Sequence, residues 1–252
     1  MLHKTKGIIL RTVKYGETSL IATVYTELFG LQSYMVKGVR LSSKKGNSRA
    51  NMFQPASILD MVVYHNELKH LQIIKEFGWA KMYQHLQQDV IKNCVSLFMV
   101  ELLTRSIKQP ESNADLYDFI EHYLLLLDEA EAAVIANLPL HFALHLARQL
   151  GFGIEDKDNE KSTILDLQEG RFTSHIPAHG NWLDGRLANA IAELLQMDNA
   201  ISLYRIKLNR QLRQQLLQAC EQFYIYHISD FGNLKTVAVL EAVLGEPPGV
   251  EG

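Results

Sequence analysis

The sequence of 252 residues predicts an α+β protein, in which a five-stranded N-terminal barrel precedes an all-helical region with a short irregular insertion. Up to about Glu76 the apolar residues recur with a period near two, which is typical of β-strands. After Gly78 the period changes to that of amphipathic helices. Charge is also divided unevenly, because residues 1–85 hold 12 basic and 5 acidic residues, whereas the remaining 167 hold 13 and 23.

Five short runs rich in β-branched and aromatic residues are predicted to form the barrel: 7–13, 18–26, 31–39, 58–64 and 71–75. Phe29-Gly30 and His65-Asn66-Glu67 supply turn signals between runs. Short strands with tight turns and one long polar loop fit an oligonucleotide-binding (OB-fold) barrel, whose loops flank a binding face. We assign residues 1–78 to this domain.

The helical domain is assigned to residues 79–245, followed by a disordered tail at 246–252. Apolar residues spaced by three and four predict a first long helix over 80–108, which Pro110 ends. Four further helices follow: Ser112 to Leu127, Pro139 to Leu150, Asp184 to about Met197, and about Leu203 to His227. The irregular insertion, 151–183, contains a predicted hairpin around Glu169-Gly170.

Several classes of protein are disfavoured by the sequence. No apolar run approaches the 18 or more residues of a membrane span, and no signal peptide is recognisable, so we expect a cytoplasmic protein. Cys94 and Cys220 both lie in apolar helical patterns and are expected to be buried rather than to form a disulfide or a zinc site. No nucleophile elbow, phosphate-binding loop or dinucleotide fingerprint is present, so we expect no enzymatic activity.

The segment Val36–Arg49 is the main candidate site, because it concentrates positive charge without any acidic residue. Its cations are Lys37, Arg40, Lys44, Lys45 and Arg49, and Arg11 and Lys14 lie on the first predicted strand. Lysine and arginine neutralise phosphates and release counterions, which gives sequence-independent affinity for nucleic acids. These seven residues are therefore predicted to contact DNA phosphates.

Three aromatic residues, Tyr15, Tyr34 and Phe53, lie on or beside the same strands. Exposed rings would be able to stack on bases. The alternative for each ring is packing in the barrel core, and we expect core packing to be the more frequent role.

A second basic group, Arg205, Lys207, Arg210 and Arg213, is predicted to lie along one side of the last helix beside an apolar face. Such a surface is suited to an acidic, partly hydrophobic peptide. It supports an alternative function, a protein-interaction scaffold in which DNA binding is secondary. A solvated amphipathic helix explains the same pattern without any partner.

Two histidine pairs have the i, i+4 spacing of metal ligands, His141/His145 and His175/His179. The first pair lacks the glutamate of a zinc-hydrolase motif, and Pro177 interrupts the second. Asp184 is a conceivable third ligand beside His175 and His179. We expect no metal at either pair, and no cofactor.

The two ends of the chain resemble the RecO family of bacterial recombination mediators. The N-terminal resemblance rests on the Tyr15-Gly16-Glu17 turn, Thr26-Glu27 before Phe29-Gly30, Lys37-Gly38 followed by Arg40, and Gln54-Pro55. At the other end YIYHISDFGNLKTVAVL, from Tyr224 to Leu240, is similar to the family's closing segment. No single motif is decisive, but the combination covers both ends of the chain.

The resemblance implies an OB-fold barrel and a helical domain, binding of single- and double-stranded DNA, and annealing of complementary strands. It also implies a role in recombinational repair at the nucleoid, where the protein helps to load the recombinase RecA with RecR and single-stranded-DNA-binding protein, through the latter's acidic C-terminal tail. It implies no catalytic residue.

The chain departs from the family pattern in the insertion. Many members carry two C-x-x-C pairs in the region that matches roughly Gly151 to Gly185, and this chain has no cysteine there. We therefore expect no zinc, and we expect apolar packing to hold this region together. The residues suited to that packing are Leu165, Leu167, Phe172 and Trp182.

Overall fold

The computed structural model describes residues 1–40, 49–155 and 162–244. The chain forms two compact units. One contains Met1–Gln87 together with Leu103–Asp128, and the other contains Gln88–Leu102 together with the chain from Glu129 onward. The helix that follows the barrel contributes residues to both units.

The first unit is built on five strands, β1 (Leu2–Tyr15), β2 (Ser19–Thr26), β3 (Gly30–Val36), β4 (Ile58–Tyr64) and β5 (Leu71–Trp79). They form a closed barrel in the order β1-β2-β3-β5-β4. The 14-residue β1 closes it, because its first half pairs with β4 and its second half with β2. The register shifts between Ile9 and Arg11, at the bulge where β1 passes from one partner to the other. The predicted OB-fold barrel is confirmed.

Alternating residues of the strands fill the barrel. Val24, Tyr34, Leu59 and Val63 are fully buried, and Phe53 closes the core from a 3₁₀ helix, Arg49–Phe53. Burial of the apolar alternate residues supplies the main driving force for closing the barrel. Two of the three aromatic residues named above, Tyr34 and Phe53, are therefore core residues.

The segment around α2 (Ala114–Glu129) covers part of the outside of the barrel. The rings of Tyr25 and Tyr117 stack with centroids 6.4 Å apart, and Lys6 Nζ lies 3.6 Å from Glu121 Oε1. Gly30 has φ +59°, and a Cβ atom there would overlap the Glu111 carbonyl. The turn signal Phe29-Gly30 thus also marks a close backbone approach that only glycine permits.

The first helix, α1, covers Val90–Ser106, so the prediction that it begins at residue 80 is wrong. Residues 80–89 leave the helix because their backbone has other partners. The Asp128 carboxylate accepts hydrogen bonds from the amides of Gln84, His85 and Leu86 at 2.7–2.8 Å. Asp89 then accepts from the amides of Ile91 and Lys92 and caps the start of α1. The second helix also begins later than predicted, with Asn113 rather than Ser112 as its cap.

The second unit is mostly helical, with α3 (Ala132–Ile135), α4 (Leu138–Gln149), α5 (Gly185–Leu195), α6 (Arg210–His227) and α7 (Lys235–Val243). The short helices α3 and α7 were not predicted. The predicted helix from Leu203 to His227 is wrong in its first part, because Ala200–Arg205 is a 3₁₀ helix and Asn209 caps α6. Asn137, whose side chain donates to the Leu203 and Ile206 carbonyls, holds that link against α4.

A small antiparallel sheet forms the described part of the insertion, with strands β6 (Ile164–Asp166), β7 (Arg171–Thr173) and β8 (Trp182–Leu183) in the order β7-β6-β8. The predicted hairpin around Glu169-Gly170 is confirmed, with Gly170 at φ +68°. Leu165 and Leu167 are buried, whereas Phe172 and Trp182 are only partly buried. The tail predicted to be disordered, 246–252, lies outside the described residues.

Candidate nucleic-acid interface

The two ends of the basic segment are fixed to the barrel at different points. The Arg40 amide donates to the Thr18 carbonyl at 2.9 Å, and its guanidinium donates to the Gly16 carbonyl at 2.9 Å. Arg40 is therefore tied to the β1–β2 turn. The Arg49 guanidinium lies over the Phe77 ring, 4.1 Å from its centroid, and donates to the Phe77 carbonyl at 3.4 Å. Arg49 is held against β5.

Lys44 and Lys45 lie outside the described residues, between these two anchors. Lys37 is exposed and directly follows β3. In the described ranges, none of the five cations Arg11, Lys14, Lys37, Arg40 and Arg49 forms an ion pair with another described residue. Their charge is not neutralised by the protein's own described carboxylates, which is what an anion-binding surface requires.

Arg11 and Lys14 are both exposed, but they lie on opposite faces of β1. Arg11 is in register with Thr23, and Lys14 is in register with Leu20, a core residue. Successive side chains of a strand point to opposite faces, so two residues three positions apart lie on opposite faces. Arg11 therefore lies on the outer face of the barrel, whereas Lys14 lies at the rim.

The structure separates the aromatic residues by burial. Tyr34 is fully buried, and burial raises the pKa of its hydroxyl to about 12. Phe53 is 2% exposed and meets Phe77 edge to face, with ring centroids 4.8 Å apart. Tyr15, in contrast, is 51% exposed at the end of β1. Of the three, it alone has a face free for a ligand.

An open cleft of about 690 Å³ lies on the barrel unit and was not anticipated from the sequence. Its lining includes Thr23, Ser33, Lys69, His70 and Lys108, together with the acidic Glu67. Lys69 and His70 belong to the β4–β5 connection, and Lys108 comes from beyond α1. Sequence reasoning missed this group because its members are spread over some 85 positions and no local charge run marks them.

The second basic group is only partly helical, which corrects the prediction that its residues line one side of a helix. Arg205 ends the 3₁₀ helix and Lys207 lies in the link before α6. Arg213 turns inward and donates to the Leu208 and Leu244 carbonyls at 2.9 and 3.2 Å, and burial lowers its pKa. Arg210 stays exposed. A pocket of about 410 Å³ brings Lys207 and Arg213 beside Arg186, which the sequence did not single out.

The histidines have protein partners. His141 is buried, its Nε2 lies 2.7 Å from the Met197 carbonyl, and burial lowers its pKa to about 4. His179 Nε2 lies 3.2 Å from Asp166 Oδ2, while the exposed His175 contacts Ser174. Among the described residues, no group of three or more His, Cys, Asp or Glu side chains is placed to hold a metal ion. In the described ranges, none of the helices combines the length and the hydropathy that a membrane span needs.

The fold defines the class of protein, which has an OB-fold barrel, a helical domain and, among the described residues, five barrel cations that form no ion pair. Two family models cover nearly the whole chain, Recombination protein O N terminal over residues 1–83 and Recombination protein O C terminal over residues 87–236. The chain belongs to the RecO family.

Individual relatives agree with this assignment over nearly their full length. The chain is 34% identical to a protein of Christiangramia forsetii over 97% of this chain and all of that relative. It is 33% identical to a Flavobacterium psychrophilum protein and 31% identical to a Bacteroides fragilis protein, in each case over 96% of this chain. These alignments cover 99% and 98% of the two relatives. Each of the three relatives is named DNA repair protein RecO.

Proposed function

We propose that this protein acts in recombinational DNA repair, by binding single- and double-stranded DNA and annealing complementary strands without catalysing a covalent reaction. One observation carries the proposal. Arg40 is hydrogen-bonded to Gly16, 24 positions earlier in the chain, and Arg49 to Phe77, 28 positions later. The segment between the two arginines contains two further lysines. The anchoring supports the proposal, because it holds the two arginines that flank these lysines against the barrel.

Annealing follows from the same charges. Two complementary strands repel each other through their phosphates, so their encounter is slow unless cations screen them. A barrel that holds one strand through phosphate contacts leaves base edges free for pairing with the second. Because these contacts carry no sequence information, any complementary pair would be accepted.

The family membership supports the next step, in which the protein helps to load RecA together with RecR and single-stranded-DNA-binding protein. Such a protein would work on chromosomal DNA, so we expect it at the nucleoid in the cytoplasm. Filament formation by RecA on a strand precoated with single-stranded-DNA-binding protein tests this role. Addition of this protein with RecR should shorten the delay, and an unchanged delay would contradict the loading role.

The DNA-binding proposal is tested by Lys44→Ala/Lys45→Ala. If each lysine neutralises a phosphate, the plot of log affinity against log salt should flatten by about 1.4 for a single strand and about 1.8 for a duplex. The control Arg171→Ala/Lys235→Ala removes two exposed cations from the second unit and should leave the slope unchanged. An unchanged slope for the Lys44/Lys45 variant would remove both lysines from the site.

A second candidate function is supported by the pocket beside α6. Arg186 and Lys207 line it together with the internally bonded Arg213 and the apolar Ile206 and Leu208. Cations beside apolar side chains suit an acidic, partly hydrophobic peptide, such as the C-terminal tail of single-stranded-DNA-binding protein. We expect Lys207→Glu to abolish binding of that peptide, measured by fluorescence anisotropy. Equal binding by wild type and variant would argue against this pocket.

A further inference from the structure

The outer face of the barrel carries an apolar residue from every strand, and the strand register aligns them. Val13 of β1 is opposite Ile21 of β2, which is opposite Met35 of β3. Met35 is opposite Ile73 of β5, and Ile73 is opposite Tyr64 of β4. We call these five residues the outer apolar row.

The outer apolar row is open to solvent. Val13, Tyr64 and Ile73 are 50%, 49% and 36% exposed, and Ile21 and Met35 are partly exposed. Their immediate neighbours along the strands, such as Leu20 and Val36, point inward and are at most 4% exposed. Single exposed apolar side chains are common, but a continuous line of them marks a contact surface.

Among the described residues, α2 packs against the other end of this face. Ile8 and Tyr25 are opposite each other, lie outside the barrel core and are 0% and 1% exposed. Tyr25 packs against Tyr117 of α2, and its hydroxyl faces the Asn113 carbonyl at 3.5 Å. Near the start of β3, the apolar residues of the outer face are therefore buried within the barrel unit. The outer apolar row remains exposed.

Charge and polarity on both sides of the row indicate what covers it. On one side Arg11, Thr23 and Ser33 form the next cross-strand line, beside the cleft that Lys69, His70 and Lys108 also line. On the other side lie the exposed Lys37, after β3, and Lys75, two positions beyond Ile73 on β5. The acidic Glu67 lines the cleft and Glu76 pairs with Lys75, so the surroundings are net positive but mixed.

An apolar line flanked by cations matches a single-stranded nucleic acid better than it matches a duplex. Its bases offer flat apolar faces, and its phosphates repeat at the edge of the same strand. A duplex keeps its bases stacked inside the helix and offers only phosphates and groove edges. Because the barrel is closed, five strands about 4.8 Å apart carry the row about 19 Å around its curved surface, a path as long as a few nucleotides of an extended strand.

We propose that the outer apolar row contacts the unstacked bases of a single strand and sets the preference of this protein for single strands over duplex. The inference rests on the proposed DNA-binding function. The cations supply affinity for any phosphate backbone, and the outer apolar row adds a contact that only unpaired bases can make.

The test uses full-length Met35→Ser/Ile73→Ser, with affinities for oligo-dT and for a duplex of equal length measured by anisotropy. We expect at least tenfold weaker binding of oligo-dT and less than twofold weaker binding of the duplex, at an unchanged salt slope. The matched control Met82→Ser/Ile201→Ser replaces a methionine and an isoleucine that are 74% and 61% exposed elsewhere. It should bind both DNAs like the wild type.

An abasic oligonucleotide of the same length separates base contact from phosphate contact. We expect the wild type to bind the abasic strand more weakly than oligo-dT, by about the factor by which the Met35/Ile73 variant weakens oligo-dT binding. The variant should bind the abasic strand and oligo-dT with equal affinity. If the variant keeps its oligo-dT affinity, or weakens equally for oligo-dT, duplex and abasic strand, the role of the row is overturned while DNA binding stands. If the wild type binds none of the three, the proposed function itself is overturned.

Discussion

At the residue scale, Asp128 determines where the first helix begins. Its buried carboxylate accepts three backbone amides from Gln84 to Leu86, so these residues bond to α2 rather than to a helix of their own. The backbone hydrogen bonds hold the pKa of Asp128 below its ordinary value, although burial opposes them. A carboxylate that accepts several amides is stabilised in its charged form.

The variant Asp128→Ala should destabilise the protein by about 1.5–3 kcal/mol, the range for a hydrogen bond to a charged group. Two of the three amides belong to exposed residues, Gln84 and His85, where water can replace the carboxylate. Denaturant unfolding at neutral pH measures the loss. A loss below about 0.5 kcal/mol, the usual effect of a neutral surface substitution, would contradict the role assigned to this carboxylate.

The same carboxylate predicts a pH dependence. Because its pKa is lower in the folded than in the unfolded protein, its stabilising contribution is complete above the unfolded value, near 4, and is lost as the pH falls through the folded value. The stability difference between wild type and Asp128→Ala should therefore shrink as the pH falls below about 4. A difference that stays constant down to about pH 2 would contradict this assignment.

A second feature at the residue scale is that three arginines donate hydrogen bonds to backbone carbonyls of the protein itself. Arg40, Arg49 and Arg213 looked alike in sequence, as cations available for a ligand. In the structure the Arg213 guanidinium donates to two internal carbonyls, those of Leu208 and Leu244, whereas Arg49 is exposed. Sequence gives the charge of a side chain, but its availability depends on which carbonyls the fold brings near.

At the element scale, the small sheet β6-β7-β8 forms in a stretch of sequence that contains no cysteine. Leu165 and Leu167 anchor it to the core. Asp166 accepts from the amides of Gln168 and Glu169 and also contacts His179. These contacts close the β6–β7 turn and join it to the segment before β8, which is the structural task of a metal in a small module.

We therefore predict that the purified protein contains less than about 0.1 zinc per chain. A chelator should leave the melting temperature unchanged, whereas removal of a structural zinc would lower it. Elemental analysis and a thermal scan with and without EDTA measure both quantities. Stoichiometric zinc that is lost together with stability would contradict the prediction.

At the scale of the whole molecule, the charge distribution matters more than the net charge. The chain carries a formal charge of −3, yet residues 1–85 have an excess of seven basic residues. Positive charge close to the barrel can attract a phosphate backbone even though the molecule as a whole is acidic, because salt screens charges more than about 8–10 Å away. Annealing should depend on this local excess.

The predicted outcome is that the protein-dependent rate of annealing, with the protein-free rate subtracted, falls by about tenfold or more between about 50 and 200 mM salt, because phosphate contacts are lost. Lys44→Ala/Lys45→Ala should anneal more slowly than wild type at low salt, and the two should converge at high salt. A fluorescence-quenching assay follows the reaction. Annealing that is insensitive to salt would contradict a mechanism based on screened phosphates.

Much of this protein is determined by its sequence alone. Alternation of period two placed five strands, Pro110 marked the end of the first helix, and the uneven charge located the basic segment. These features are local, since each depends on residues within one or two turns of chain, and local patterns can be read without the fold.

Tertiary structure alone decided which residues meet. The pairing of β3 with β5 aligns Met35 with Ile73, and only that register brings the outer apolar row together. The capture of residues 84–86 by Asp128, more than 40 positions away, overrode a helical pattern. The physical reason is the same in both cases. A backbone group or an apolar side chain contacts the partner that the folded chain brings close to it. That partner is many positions away in the sequence, so local sequence patterns do not identify it.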